Sequence, residues 1–291
     1  MKIGRSKFLG AVAVGTSLLL GAHGLTAQQA APALTQAQVE QIVASPDRTA
    51  ADRTNDLRRK PEQMLVFIDV HPGITALDLS AAGGYTTELL ARAIGPSGSV
   101  YGQSRPREPN RTPTPSAPEG NSHPTNSPQP PPPAAGAPRP SPVALAERDS
   151  ALKKAGVKAA PITAVVRPFE DPIPSELSSG GLDLVTLMFN YHDLGFLGID
   201  RAAMNQAVFR ALKSGGFYVI ADHSGRPGTG ISESGTLHRV EEAFLRKEVE
   251  AAGFRLAAEG TFLRNPNDPR DKNTPDPPQP KDEFVLKFVK P

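Results

Sequence analysis

The 291-residue chain contains no cysteine. Disulfides, thiolate nucleophiles and thiolate-bound zinc are therefore excluded, and any covalent or metal chemistry must use oxygen and nitrogen ligands. An excess of positive charge is also lacking, since the formal net charge is only +2, so composition gives no argument for a nucleic-acid partner. There is no G-x-G-x-x-G string, which disfavours a nicotinamide-dependent oxidoreductase. No G-x-S-x-G elbow occurs either; the nearest string, Gly230-Ile231-Ser232-Glu233-Ser234-Gly235, has the wrong spacing for a hydrolase. The one extended apolar run, 8–20, is too short and too glycine-rich for a membrane-spanning helix.

What that run does resemble is the core of an export signal. Lys2, Arg5 and Lys7 precede it, and small residues offer cleavage after Gly24 or Ala27. We therefore expect a signal peptide over 1–27 and a mature protein in a periplasm or outside the cell, with no stable membrane anchor after cleavage. Residues 28–50 read as an alanine- and glutamine-rich flexible linker, and 51–291 as the folded domain. Fourteen of the chain's 31 prolines fall between 106 and 142 with hardly an aliphatic residue among them. That stretch cannot bury enough surface to offset chain entropy, and it reads as a disordered insertion into the domain.

The rest alternates between the two hydrophobic periods. Strands are expected at 75–79, 99–103, 162–166, 184–189, 217–221, 255–259 and 284–289, and helices from 60, over 86–94, 143–154 and 201–212, and over 237–252 after a loop at 225–235. The run 184–189 is apolar on both faces and so belongs at the centre of a sheet. Strands alternating with helices, then two strands joined only by a loop, describe an α/β fold. We expect three layers, Rossmann-like, around a seven-stranded, mostly parallel sheet with an antiparallel last strand.

Ligands in such sheets sit beyond the carboxyl ends of the strands. Ser80, Ala81, Ala82, Gly83 and Gly84 follow the first strand, and small residues there let a ligand approach the backbone. His192-Asp193 and Asp222-His223 end the fourth and fifth strands, which such a fold makes neighbours, so the two pairs should converge. His192 is the best general-base candidate, oriented by Asp193 or Asp222, with His223 completing the catalytic set. Asp222-His223-Ser224 is not read as a triad, because consecutive strand residues point in opposite directions. His238 and Arg239 are expected in the charged first turn of a helix.

Several strings together carry a family resemblance. They are residues 78–91, Leu212-Lys213-Ser214-Gly215-Gly216, Tyr191-His192-Asp193-Leu194-Gly195, Leu237-His238-Arg239, residues 248–254 and Phe284-Val285-Leu286-Lys287-Phe288. The chain resembles class I S-adenosylmethionine-dependent methyltransferases, and more narrowly a bacterial group of predicted exported methyltransferases. The resemblance implies S-adenosyl-L-methionine as cofactor and a small-molecule acceptor. It assigns Asp78, Ser80, Ala82, Gly83, Gly84 and Tyr85 to the methionine and ribose side of the cofactor, Gln103 to the ribose hydroxyls, Phe169 and Glu170 to the adenine, and Asn190 to the neighbourhood of the transferred methyl. The family pattern would place glycine at 80 and 82, and an acid at 103. These departures leave a second reading open, a non-catalytic ligand-binding protein on the same fold. Metal-dependent O-methyltransferases suggest a further use of Asp193, Asp222 and His223 as ligands, but loop carboxylates more often cap helices or pair with arginine, and no metal is assigned.

Overall fold

The computed structural model describes residues 1–2, 32–107, 140–273 and 279–291, and the architecture below is that of the unit Ala31–Pro291. The expected signal peptide, apart from its first two residues, and residues 108–139 of the insertion expected over 106–142 lie outside the described residues; Ser141 and Pro142, at the end of that expected insertion, already belong to a helix. Among the described residues, no helix is long and apolar enough to cross a membrane.

Seven strands form one sheet: β1 (Thr75–Leu79), β2 (Ser99–Ser104), β3 (Ile162–Val166), β4 (Leu182–Met188), β5 (Leu212–His223), β6 (Arg255–Gly260) and β7 (Glu283–Val289). Their order is β3-β2-β1-β4-β5-β7-β6. β1, β2, β3, β4 and β5 pair in parallel, while β7 runs antiparallel to both β5 and β6. The α/β architecture expected from the sequence is thus the observed one, and strand order reverses between β1 and β4.

Period-two alternation divides the core. Leu77 and Leu79 of β1, Val185 and Leu187 of β4, and Tyr218 and Ile220 of β5 enter one apolar cluster. Helices α7 (Arg201–Ala211) and α9 (Glu242–Ala251) cover it with Met204, Val208, Leu245 and Val249. The intervening Ala76, Leu184 and Val219 enter the other cluster. There α1 (Gln36–Val43), α3 (Pro61–Ile68) and α4 (Tyr85–Ile94) contribute Val39, Val43, Leu65, Ile68, Leu90 and Ile94. Each fully buried aliphatic side chain contributes roughly 1.5–3 kcal/mol. The remaining helices are α2 (Ala50–Arg59), α5 (Ser141–Lys154), α6 (Tyr191–Phe196) and α8 (Ser234–Leu237).

Two sequence expectations are corrected. The segment 28–50 is no simple linker: Thr35 and Gln38 form a capping box that starts α1, and Val39 and Val43 are buried. The polar residues that follow form α2, with Thr49 as its N-cap. The single helix expected over 237–252 is broken into α8 and α9, because His238 adopts a left-handed conformation (φ 51°) and Arg239 is buried in an ion pair with Asp268. Val240 is held against the end of β5, its N–H donating to the His223 carbonyl at 3.1 Å.

The turn after β1 has left-handed residues at every second position, Ser80 (φ 56°), Ala82 (φ 47°) and Gly84 (φ 78°). Its path is set by the Ala81 N–H donating to the Gln103 carbonyl at 2.8 Å and the Gly84 N–H donating to the Ala81 carbonyl at 2.7 Å. Glycine occupies such a conformation without steric cost; an L side chain there costs about 1–2 kcal/mol. Ser80→Gly and Ala82→Gly should therefore each raise unfolding stability by about 0.5–1 kcal/mol after the greater freedom of the unfolded chain is subtracted. A higher urea midpoint at unchanged slope is the expected readout; a lower midpoint in both variants contradicts the strain argument.

Candidate active site

The two pairs at the strand ends do converge. Asp222 is fully buried at the end of β5 and its Oδ1 lies 2.6 Å from His192 Nδ1. Its Oδ2 accepts the His192 backbone N–H at 2.8 Å, and Oδ1 also accepts the His223 N–H at 2.7 Å. The other ring nitrogen of His192 lies 3.2 Å from Asp193 Oδ1. Burial alone would lower the pKa of this imidazole, but the charges of Asp222 and Asp193 raise it to about 10. Both ring nitrogens thus face carboxylate oxygens, an arrangement that favours the protonated imidazole and disfavours the general-base role expected of His192.

Around this pair the site is built from α6 and the segment after α8. Asn190, the residue before α6, donates from Nδ2 to Asp193 Oδ2 at 2.7 Å, while its own amide oxygen is buried with no partner among the described residues. His238 Nδ1 approaches Asp193 Oδ1 at 3.4 Å, and its ring meets that of His192 edge-on at 5.4 Å. His223 takes a different direction, with Nδ1 3.0 Å from Glu283 Oε1, and Arg58 NH1 donates to the same oxygen at 2.8 Å. His223 therefore does not share a ligand set with Asp193, and the alternative trio Asp193, Asp222 and His223 is not assembled.

On the β1 side, Asp78 is 2 % exposed and accepts hydrogen bonds from the Thr87 hydroxyl at 2.7 Å and the Thr186 hydroxyl at 2.8 Å. Burial pushes its pKa up to about 6, against the opposing effect of those donors and of the nearby Arg59 charge. Gln103 is fully buried and both ends of its amide are engaged, Oε1 with the Ser80 N–H at 3.1 Å and Nε2 with the Arg167 carbonyl at 2.7 Å. The ribose-binding role implied for Gln103 is thus replaced by a structural one, bracing the turn against the end of β3. Phe169 likewise belongs to the core beside Leu77 and Leu79, whereas Glu170 is half-buried in the turn that follows β3. Gly83 has open space where a side chain would begin. The Tyr85 hydroxyl donates to Asp56 at 2.6 Å.

Strand order reverses between β1 and β4, and these two groups of residues stand at or just beyond the carboxyl ends of the central strands, which is where ligands of such sheets bind. Neither a protein-family model nor a curated protein sequence matches the chain. Among solved structures it is similar to a chain of the complex between the Haloferax volcanii Trm112 methyltransferase activator and the putative methyltransferase. That match has 14 % identity and a TM-score of 0.50, and covers 89 % of this chain and 99 % of the other. A second similar structure is a SAM-dependent methyltransferase from Aquifex aeolicus, at 14 % identity and a TM-score of 0.49, with 89 % and 100 % covered. The fold is that of the class I methyltransferases.

On this methyltransferase fold, α2 brings to the site Arg58 and Arg59, to which the sequence alone gives a solvated face. Arg58 and Arg59 lie over the Phe189 ring at 4.7 and 4.8 Å, and Arg59 also over Tyr85 at 5.3 Å. Burial, together with the neighbouring Arg58 charge, lowers the Arg59 pKa to about 10, and its Nε has no hydrogen-bond partner among the described residues. The available signal was the amphipathic spacing of Asp52, Asp56 and Arg59 behind Thr49, a helix start with its N-cap. His238 had no comparable signal, because a break in a periodic pattern brings it to the site.

Two outcomes follow from the buried carboxylates. Asp78 has a folded-state pKa of about 6 against an ordinary 3.8, so the native state binds the proton more tightly than the unfolded chain does. This stabilisation is complete below pH ~4 and is lost as pH rises through ~6, a loss of about 3 kcal/mol at most. In Asp78→Asn that component should vanish, leaving a flatter stability profile between pH 4 and 6 by denaturant titration; an unchanged profile refutes it. Asp222→Asn should cost about 3–5 kcal/mol near neutral pH, since it removes one partner of a buried ion pair, and the drop in thermal midpoint measures it.

Proposed function

We propose that this chain is an exported S-adenosylmethionine-dependent methyltransferase acting on a small-molecule acceptor. The observation that carries the reading is the left-handed backbone at Ser80, Ala82 and Gly84. The turn keeps the path that the family builds from glycines even where two of them are replaced, and it does so at the strand-order reversal. A backbone held in that strained form without a ligand to receive has no evident structural return.

When bound, the cofactor supplies a methyl group on a positively charged sulfur, and transfer is an in-line displacement in which positioning dominates. The chain's own residues divide the work. The turn 80–84, open at Gly83, would receive the methionine and ribose portion. Asn190 would stand beside the methyl group, with its unpartnered amide oxygen as an acceptor. Asp193 is the solvent-reaching member of the histidine–carboxylate network, its side chain 29 % exposed, and would orient the acceptor's hydroxyl or amine. His192 and Asp222, both buried, hold that network in place.

Isothermal titration with S-adenosylhomocysteine tests the reading. Saturable binding in the wild type should be lost in Gly84→Val, whose new side chain would start 2.7 Å from Leu145 and 2.8 Å from Arg148 at a left-handed position, with circular dichroism checking the fold. The engagement of Gln103 within the protein favours the second reading, a binding protein that has left this cofactor, and that reading predicts no heat from either S-adenosylhomocysteine or S-adenosylmethionine. For export, the expected outcome is a periplasmic or secreted product whose N-terminal sequence begins after Gly24 or Ala27; an intact Met1 in that fraction contradicts the cleavage.

A further inference from the structure

Three nitrogen and oxygen atoms on the β4 side of the candidate site meet at distances that also suit a shared cation. His192 Nε2 lies 3.2 Å and His238 Nδ1 3.4 Å from the same oxygen, Asp193 Oδ1, and the ligating atoms of the trio all lie within 4.8 Å of one another. Around a first-row divalent cation with bonds of about 2.0–2.2 Å, neighbouring ligand atoms stand roughly 3.0–3.4 Å apart, from octahedral to tetrahedral geometry.

We propose that His192 Nε2, Asp193 Oδ1 and His238 Nδ1 form a binding site for a first-row divalent cation, Zn2+ being the ion to test. Each ligand has a partner that fixes its orientation. His192 is held through its other ring nitrogen by Asp222 at 2.6 Å, and Asp193 through its other oxygen by Asn190 Nδ2 at 2.7 Å. This is the arrangement by which carboxylates and amides set the direction of metal-binding side chains. His238 is held by its backbone. It sits at φ 51°, followed by Arg239 in a buried ion pair with Asp268 and by Val240 bonded to the His223 carbonyl. Left-handed strain in a histidine, maintained on both sides by buried contacts, is a feature that the surrounding structure must enforce.

The donor set is two imidazoles and one carboxylate, which suits zinc or iron(II) and leaves at least one coordination position for a water or for the oxygen of a bound molecule. Asp193 is the ligand that reaches solvent, whereas His192 and His238 are buried, so a further ligand approaches from the Asp193 side. On metal binding the ion replaces the proton on His192 Nε2, which leaves to solvent. The site differs from the Asp193, Asp222 and His223 set suggested by the sequence, and it does not depend on whether an adenosyl compound binds.

The test is titration of the chelator-treated, full-length protein with ZnCl2 by calorimetry and with CoCl2 by visible absorption. One equivalent of Zn2+ should bind, and Co2+ should develop the d–d bands of an ion with histidine nitrogen ligands. His238→Ala and Asp193→Asn should each weaken Zn2+ at least 100-fold, and Asn190→Ala about 10-fold, with thermal melts verifying the fold. Should His238→Ala fail to fold, His238→Gln replaces it. Absence of saturable Zn2+ binding overturns the proposal, as does undiminished affinity in both His238 and Asp193 variants, which would place the ion elsewhere. Zn2+ binding without S-adenosylhomocysteine binding leaves this site standing and removes only the cofactor reading; the opposite result removes only the metal.

Discussion

The buried carboxylate of Asp222 is the constraint on which the candidate site depends. Two backbone N–H groups and the His192 ring converge on it. Burial works to raise its pKa, yet the His192 cation and the donors keep it below the usual carboxylate range. A charge in that position is tolerable only because its partners are complete. Those partners come from the start of α6 and the end of β5, so the carboxylate sets the spacing between the loops that follow β4 and β5. Asp193, Asn190 and His223 take their places from that spacing.

A second set of charges performs the same task for the turn after β1. Arg148 of α5 donates to the Gly83 carbonyl at 2.5 Å and pairs with Asp52 of α2 and Glu88 of α4. Arg92 joins Glu88 to Asp47, and Arg48 clasps Asp56 through two bonds of 2.7 Å. A single exposed ion pair contributes little, about 0–1 kcal/mol, but these arginines are largely buried and share carboxylates, so removing one exposes several charges at once. The network brings α2 onto α4 and α5 and carries Arg58 and Arg59 over Phe189. Phe189 is itself left-handed (φ 59°), which turns the chain out of β4 towards Asn190.

Most of the sheet was legible in the residues. Alternation in β1, β4 and β5, helical spacing in α4 and α7, and glycine stops at Gly95 and Gly253 are local signals, and each strand appears within a few residues of its expected place. β5 begins five residues earlier than apolar character suggested, because Leu212 pairs with Leu182 ahead of an irregularity in the register. Helices α1 and α2 were missed because their sequences are polar. α1 is held by its capping box and by Val39 and Val43 in the core, and α2 by its Thr49 cap and by ion pairs to the distant Arg148 and Glu283, and composition does not carry that information.

By itself, the sequence determined the α/β class, the parallel sheet with one reversed strand, the small-residue turn at its centre and the meeting of His192 with Asp222, because these depend on periodicity and on which strands neighbour one another. Only the tertiary structure decided what each side chain does there. It set Gln103 to bracing the turn, Phe169 to the core, His192 between Asp222 and Asp193, and His238 to the side of Asp193. The reason is that hydrogen-bond partners and desolvation are properties of the assembled surroundings. A histidine between two carboxylates and a histidine in a helical first turn are the same letter in the chain, and only packing distinguishes them.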